Sequence, residues 1–316
     1  MRNIREIYPV RPRLACIAVL VGGLTLAGCA EAEKTASCPL GGDGTESGVA
    51  GLPFVTPVST EQVLAWFDGG RAAAGMWTAD EARPLVLAAS LPPDLAQLND
   101  VEQRKRAFVG IVLPLAHQTN QSILEDRRFV EAAIDCRAAG QALSPSAEAR
   151  LGQLDETYKA EGDLDTLRRR LDVVPPSLLL AQAAIESGWG TSRFAREGNA
   201  LFGQRTTADH GMQPQGLDDT SPVRVAAFPH LLASVGAYIH NLNTQPAYKA
   251  FRERRAALRE AGRLPDGFDL AATLIAYSER GHAYIGDLRT IIRGNRFDAL
   301  DAAQPAVPKA AAESDA

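Results

Sequence analysis

One apolar segment constrains the fold of this chain more than any other feature. After Pro175-Pro176-Ser177, eight consecutive residues carry no charge before Glu186 is reached. Prolines suit the first turn of a helix, and Gly188 and Gly190 would end it. A helix that is apolar on all sides is stable only inside a protein core. The segment therefore predicts a buried helix over residues 177–186, with Glu186 in its last turn.

The position of Glu186 predicts an acid with a raised pKa. Apolar surroundings penalise its carboxylate, and the C-terminus of a helix carries partial negative charge. A carboxylic acid still protonated near neutral pH can donate a proton to the oxygen of a departing sugar. Gln182 lies one turn earlier on the same face and could contact the same ligand. Taken alone, however, a glutamate at a helix end is more often a surface residue.

Most of the remaining chain is predicted to be helical. Hydrophobic residues make up 46% of the 316 residues and few of them are aromatic, a composition that favours helices. We expect Pro114 to kink the longest of these helices. Apolar periodicity and capping residues predict a helix that starts at residue 59 and helices over 78–87, 94–138, 145–160, 164–171, 230–243, 246–261, 270–278 and 283–293.

Residues 199–228 break this pattern, because they contain several glycines and prolines and no helical period. Residues 200–205 and 223–228 are typical of short strands and predict a small β-hairpin. The predicted fold class is therefore mainly α, a helical body with a small β-hairpin lobe that together form a cleft.

The N-terminus predicts export and a lipid anchor. Four arginines flank an apolar run that is too short to span a bilayer and that ends at Leu26-Ala27-Gly28-Cys29. This tetrapeptide resembles a bacterial lipobox, which implies removal of a signal peptide 1–28 and acylation of Cys29. No aspartate follows Cys29, so we expect the periplasmic side of the outer membrane. The alternative is an ordinary signal peptide with an incidental cysteine.

Loss of this peptide would change the formal net charge from −5 to −8, because it contains four arginines and one glutamate. No basic stripe remains, so nucleic acid is not an expected partner. Cys38 and Cys136 would then lie in an oxidising compartment that permits a disulfide without requiring one. Their spacing matches no zinc pattern. The sequence leaves both the pairing and the oligomeric state open.

We divide the chain by composition. After the signal peptide 1–28 we expect a flexible tether over 29–58, which is rich in glycine, serine and threonine. An N-terminal helical region would cover 59–172 and a second domain 173–298. The low-complexity residues 299–316 predict a disordered tail.

The segment AQAAIESGWGTSRF, followed by GNALFGQ, resembles the glucosaminidase domain of glycoside hydrolase family 73, also called the mannosyl-glycoprotein endo-beta-N-acetylglucosaminidase-like domain. The segments RKRAFVGIVLPLAHQTNQSIL, SVGAYIHNLNTQPAYKAFRERRAAL and LAATLIAYSERGHAYIGDLRTII resemble its Bax-type bacterial branch. The resemblance covers residues 101–295. It implies a lysozyme-like fold, peptidoglycan glycan strands as substrate and Glu186 as the general acid.

The resemblance also implies roles for other residues. Trp189 would brace the end of the helix, Asn199 with Phe202 would begin the β lobe, and Tyr277 would face Glu186 across the cleft. Trp189, Phe202 and Tyr277 could equally be core residues. The catalytic candidates are Glu186 and Tyr277, and the substrate-binding candidates are Gln182, Trp189, Asn199, Phe202 and Tyr284.

A second catalytic carboxylate is less clear. Only Asp209, Asp218 and Asp219 lie in the predicted lobe, and none matches the pattern of the family. Two alternatives need only one acid: assistance by the 2-acetamido group of the substrate, or a lytic transglycosylase reaction in which a sugar hydroxyl attacks. Glu279, with Arg280 and Arg289, is better explained by a structural ion-pair cluster than by catalysis.

Other classes of protein are less consistent with the sequence. A zinc-dependent N-acetylmuramoyl-L-alanine amidase would need clustered histidines, but the five histidines are scattered, so we predict no metal site and no cofactor. Ser187 and Ser192 lack the setting of a serine hydrolase. A peptidoglycan-binding lipoprotein without turnover remains possible. The sequence favours an endo-beta-N-acetylglucosaminidase.

Overall fold

The computed structural model describes Cys38, Leu40 and residues 54–68, 86–207, 211–214 and 223–302. The predicted signal peptide and lipidated Cys29 lie outside these residues, as do most of the predicted tether and the chain beyond residue 302. Asp209, Asp218 and Asp219 also lie outside them.

Helices make up most of the described residues, and the strands are only two residues long. The helices are α1 (Thr60–Asp68), α2 (Val101–Ala138), α3 (Pro145–Tyr158), α4 (Leu164–Arg170), α5 (Pro176–Ser187), α6 (Arg193–Gly198), α7 (Leu231–Thr244), α8 (Lys249–Glu260), α9 (Gly267–Leu270) and α10 (His282–Gly294). The strands are β1 (Phe54–Val55), β2 (Leu87–Ala88), β3 (Arg205–Thr206) and β4 (Arg224–Val225). Strands β1 and β2 pair in parallel, and β3 and β4 form an antiparallel hairpin. The predicted mainly α fold class with a small hairpin lobe is confirmed.

Helix α5 lies in the core, as its apolar sequence predicts. Ten of its twelve residues are buried, and it packs against α2, α9 and α10. Its long neighbour α2 starts after Asp100, whose carboxylate accepts the N–H of Gln103, and it continues through Pro114. Residues 95–97 form a separate 3-10 turn, so α2 is shorter than the predicted 94–138.

The helix predicted over 270–278 is wrong. Helix α9 ends at Leu270, and single 3-10 turns follow at Ala271–Thr273 and Ile275–Tyr277. The hydroxyl of Thr273 donates to the carbonyl of Leu270, while the N–H of Leu274 donates to Ala271 instead. A side chain that occupies a backbone acceptor competes with the α-helical pattern, so this segment tightens into turns.

The strands of the lobe are shorter than the predicted 200–205 and 223–228. Besides the two pairs of β3 and β4, the described residues of the lobe form an isolated bridge between Met212 and Val225. Residues 200–202 are buried instead, and the N–H of Leu201 donates to the hydroxyl of Ser234 on α7. The start of the predicted strand therefore packs onto α7 rather than into the hairpin.

The predicted helix 78–87 is described only at its end, where Leu87 lies in β2 rather than in a helix. Its strand pairs with β1, and the N–H of Ala89 continues the pairing by donating to the carbonyl of Val55. Both residues of β2 are buried, so backbone pairing with burial outweighs helix propensity here.

Cys38 and Cys136 form a disulfide, with Cα atoms 5.7 Å apart. The bond joins a residue of the predicted tether to the last turn of α2 and settles the pairing that the sequence leaves open. The two cysteines are 98 residues apart in sequence, and a cross-link over such a distance restricts the unfolded chain strongly.

Asp301 is buried, although the sequence predicts it inside a disordered tail. Its carboxylate accepts the N–H of Ser177 at 2.9 Å, the hydroxyl of Ser177 at 2.6 Å and the N–H of Gly267 at 2.9 Å. Burial raises its pKa to about 6. The ordered domain therefore includes Asp301, which satisfies backbone groups that the first turn of α5 leaves free.

A buried charge cluster stands just before α5. Arg259 makes two contacts of 2.6 Å with the carboxylate of Asp172, and Arg127 and Arg255 approach it at 3.4 Å and 3.7 Å. Burial alone would raise the pKa of Asp172, but Arg255 and Arg259 hold it below its ordinary value. Its side chain is only 3% exposed, so solvent screens these attractions weakly.

Arg255 also holds the backbone that leads into α5. Its Nη1 donates to the carbonyls of Asp172 and Val173 and to Oδ1 of Asn243, at 3.0, 2.7 and 2.8 Å. Its Nη2 donates to the carbonyl of Arg169 at 3.0 Å. Burial lowers the pKa of Arg255 to about 10, which still leaves it charged at neutral pH. One guanidinium thus connects α4, α7 and α8 to the start of α5.

Asp172→Asn should destabilise the fold by about 3–5 kcal/mol, because it leaves buried guanidinium charge without its partner. Asp269→Asn is the matched control, since Asp269 binds the exposed Arg254 and surface pairs contribute little. Urea unfolding of both variants measures the difference. Because folding lowers the pKa of Asp172, the wild type should lose this contribution as the pH falls below about 4, and Asp172→Asn should lose less there. If urea unfolding showed that Asp172→Asn and Asp269→Asn lose the same amount of stability, the role of the buried charge cluster would be refuted.

Candidate active site

Glu186 lies in the last turn of α5, half-buried at the edge of the core. Gly188 ends the helix in the left-handed conformation, with φ 58°. Gly190 also has a positive φ, and a Cβ there would come within 2.9 Å of Leu95 and 3.1 Å of Phe108. The tight turn after Glu186 therefore needs glycine, and it holds the end of α5 against α2.

The environment of Glu186 favours its protonated form. Burial raises its pKa, while a hydrogen bond from Tyr284 and the charge of Arg280 act in the opposite direction, and the net result is a raised pKa. This agrees with the direction that the sequence predicts. The Tyr284 hydroxyl donates to Oε1 of Glu186 at 2.8 Å. Within the described residues, no protein group bonds to Oε2 of Glu186.

Glu186 is the last member of a chain of hydrogen bonds. Tyr238 donates to Oε1 of Gln182, Nε2 of Gln182 donates to the Tyr284 hydroxyl at 3.0 Å, and Tyr284 donates to Glu186. Gln182 is fully buried, and both polar atoms of its amide are occupied. The prediction that Gln182 contacts the ligand directly therefore conflicts with its burial, and its contacts lead to Glu186 through Tyr284.

Tyrosines surround this chain and form what we call the tyrosine cluster: Tyr238, Tyr248, Tyr277 and Tyr284. The rings of Tyr277 and Tyr284 are stacked, with centroids 5.6 Å apart and planes at 6°. Tyr248 lies 6.0 Å from Tyr277. Burial raises the pKa of every member. The four phenols therefore stay neutral at physiological pH, and Tyr238 and Tyr284 act as hydrogen-bond donors.

Tyr277, predicted to face Glu186, makes no hydrogen bond to it, and its ring stacks on that of Tyr284. It is partly exposed, and within the described part of the chain its hydroxyl has no hydrogen-bond partner. The tyrosine that bonds to Glu186 is Tyr284 on α10. From the sequence, Tyr284 is predicted only as a substrate-binding candidate. A sequence signal did exist, because Tyr284, Leu288 and Ile292 share one buried face of α10.

Three other candidates occupy structural positions. Trp189 lies between Phe108 and Phe297, with ring centroids 5.7 Å and 6.4 Å away. Nδ2 of Asn199 donates to the backbone carbonyl of residue 228 at 3.1 Å, which closes the base of the lobe. Phe202 is 3% exposed and stacks on Tyr238, with centroids 3.9 Å apart. These contacts match the bracing role implied for Trp189 and the core alternative for Phe202.

The ion-pair cluster predicted for Glu279, Arg280 and Arg289 is wrong. Arg280 pairs with Asp287, and Arg289 donates to the carbonyl of Phe268. Glu279 is exposed and forms no ion pair with any described residue.

Among the described residues, no group of three or more histidine, cysteine, aspartate or glutamate side chains lies close enough to hold a metal ion. His230 caps α7 by accepting the N–H of Ala233, and Nε2 of His240 lies 2.9 Å from the carbonyl of Thr157. These two histidines therefore have structural contacts.

No helix in the described ranges has both the length and the apolar character that crossing a membrane would require.

Comparisons with known proteins identify the family. The family model for mannosyl-glycoprotein endo-beta-N-acetylglucosaminidase, the glucosaminidase domain, matches residues 163–295. Protein bax from Escherichia coli (strain K12) is 34% identical over 214 residues, which cover 65% of this chain and 74% of that protein. The crystal structure of the catalytic domain of the autolysin Auto from Listeria monocytogenes matches at 22% identity over 54% of this chain and 97% of that one, with a TM-score of 0.33, too low to support an argument. By the family model and the similarity to protein bax, the chain belongs to the glucosaminidase family, family 73 of the glycoside hydrolases.

Proposed function

We propose that this protein is a peptidoglycan hydrolase that cleaves N-acetylglucosaminyl-β-1,4 bonds, with Glu186 as the general acid. The observation that carries the proposal is the half-buried carboxyl at the end of α5, whose pKa burial raises and whose Oε1 is held by Tyr284. Such a group stays protonated at higher pH than a free glutamate and can donate a proton to the departing sugar oxygen. Family membership supports the same class of reaction.

In this proposal the chain binds a glycan strand with the scissile oxygen next to Glu186. Proton transfer from Glu186 weakens the bond from that oxygen to the anomeric carbon, which becomes positively charged as the bond breaks. The neutral, electron-rich rings of Tyr277 and Tyr284 would lie beside that charge. The unpaired hydroxyl of Tyr277 is available to position the sugar.

The proposal leaves three alternatives for the group that attacks the anomeric carbon. They are water activated by a second carboxylate such as Asp209, Asp218 or Asp219, the 2-acetamido group of the substrate, and a sugar hydroxyl as in lytic transglycosylases. Mass spectrometry of fragments released from purified peptidoglycan distinguishes them in part. An anhydro end, one water lighter than the hydrolysis product, would identify transglycosylation.

Glu186→Gln should lower glycan cleavage by about 100- to 10,000-fold, because it removes the transferable proton while keeping nearly the same shape. Glu279→Gln is the control, since Glu279 is an exposed carboxylate on a neighbouring segment and should keep its activity. Dye release from labelled peptidoglycan, in the presence of EDTA, measures both variants. Activity of Glu186→Gln within a few-fold of wild type would end the proposal. A loss of wild-type activity in EDTA that zinc restores would favour an amidase.

Tyr277→Phe should lower turnover about tenfold or more, equivalent to about 1.4 kcal/mol of barrier. Its melting temperature should hardly change, because the hydroxyl makes no hydrogen bond within the described residues and the phenyl ring keeps its stacking. Leu274→Ala is the contrasting control: Leu274 is fully buried, so its truncation should cost about 2–5 kcal/mol of stability. An active but destabilised Tyr277→Phe enzyme would assign Tyr277 to the core.

The lipid anchor at Cys29 is part of the proposal, because membrane attachment would raise the local concentration of the enzyme at the cell wall. Cys29→Ser should release the protein from membranes, since the acyl chains depend on that thiol. Metabolic labelling with palmitate should mark the wild type and leave the variant unlabelled. A variant that stays in the membrane pellet after a carbonate wash would indicate a different anchor.

A further inference from the structure

The direction of the hydrogen-bond chain at Glu186 follows from the chemistry of its last member. When Glu186 is ionised, its carboxylate only accepts hydrogen bonds, so Tyr284 is the donor in their contact. A phenol has one proton, so the oxygen of Tyr284 then accepts from its other neighbour. That neighbour is Gln182, which must present its NH₂ group, and it does so at 3.0 Å. The donor and acceptor of each hydrogen bond in the chain are thus determined by the next bond toward Glu186.

The far end of the chain fixes the same direction independently. Among the described residues, the buried Tyr238 hydroxyl has Oε1 of Gln182 as its acceptor, so the amide turns its oxygen toward Tyr238 and its NH₂ group toward Tyr284. Gln182 and Tyr238 are fully buried and Tyr284 is 2% exposed, so solvent is kept from these groups. Reversal of the amide would turn its NH₂ group toward Tyr238, whose hydroxyl proton would then have no acceptor among the described residues, and unpaired buried polar groups are costly.

We propose that Gln182 is a positioning residue that acts through Tyr284, directing its hydroxyl proton to Oε1 of Glu186 and so reserving Oε2 for the proton given to the substrate. This inference rests on the proposed function of Glu186 as general acid. Gln182 itself touches no reacting atom. Its role is to keep Tyr284 from turning its proton elsewhere, so that Oε1 of Glu186 is always held and Oε2 stays free of hydrogen bonds from the described residues.

The proposal predicts how Glu186 titrates. The bond from Tyr284 stabilises the ionised form and lowers the pKa of Glu186. Tyr284→Phe removes that bond and should raise the pKa. Gln182→Met removes the N–H that orients Tyr284, so it should raise the pKa in the same direction. Because both act through one hydrogen bond, the double variant should titrate like Tyr284→Phe alone.

The experiment follows the carboxyl carbon of Glu186 by ¹³C NMR across a pH series, with Glu186→Gln used to assign its signal. Gln118→Met is the matched control, because Gln118 is a buried glutamine on α2 that does not belong to the hydrogen-bond chain. In this variant Glu186 should titrate as it does in the wild type. In pH–rate profiles, the alkaline limb of glycan cleavage should move to higher pH in Gln182→Met but not in Gln118→Met.

Melting curves identify variants that do not fold. If Gln182→Met fails to fold, Tyr238→Phe decides the matter: it keeps the stacking on Phe202 but frees the amide to turn, and it should also raise the pKa of Glu186. The proposal is overturned if Gln182→Met, or Tyr238→Phe in its place, titrates like wild type, or if its effect adds to that of Tyr284→Phe. The titration needs no turnover, so a wild type that cleaves no glycan but titrates as expected would refute the proposed function alone.

Discussion

The buried guanidinium of Arg255 is the interaction on which the rest of the structure depends. It holds the carbonyls of Asp172 and Val173, the two residues that lead toward α5. An apolar helix in an apolar core has few specific contacts that fix its position along its own axis, because dispersion forces are not directional. The hydrogen bonds from Arg255 to the backbone just before α5 fix the position of the helix along its axis. They therefore also fix the position of Glu186, eleven residues after Pro175.

Polar groups inside the core then fix the rotation of α5. Ser177 bonds to Asp301, Gln182 bonds to two tyrosines, and the Ser187 hydroxyl donates to Ala183 and accepts from Gly190. Each of these side chains has its partners in one orientation of the helix only. A rotation of α5 that left these polar side chains unpaired would cost more free energy than any difference in burial between its apolar faces. The hydrogen-bonding residues therefore fix the rotation of α5 and, with it, the direction in which Glu186 points.

Much of this could be predicted from the sequence, for identifiable reasons. The uncharged run before Glu186 predicts the buried helix, and its position at the helix end predicts the direction of its pKa shift. The turns within residues 270–278 could not be predicted, because the apolar spacing there fits a helix, whereas the Thr273 hydroxyl bonds to the carbonyl of Leu270 and 3-10 turns form instead. The Gln182 amide illustrates another limit, since a glutamine one turn before a catalytic acid can face either substrate or core until its neighbours are known.

The residues just beyond the matched family segment contact both ends of α5. Phe297 packs against Trp189, which follows the C-terminal end of α5, and Asp301, four residues later, binds the first turn of the same helix. The segment 297–301 therefore holds α5 at both ends, and we call it the clasp. It can contact α5 only late in synthesis, because α5 is translated more than a hundred residues before it. A nascent or clipped chain that stops at residue 295 carries every catalytic candidate of the described domain yet lacks the clasp. Assembly of a competent site is thereby tied to completion of the chain.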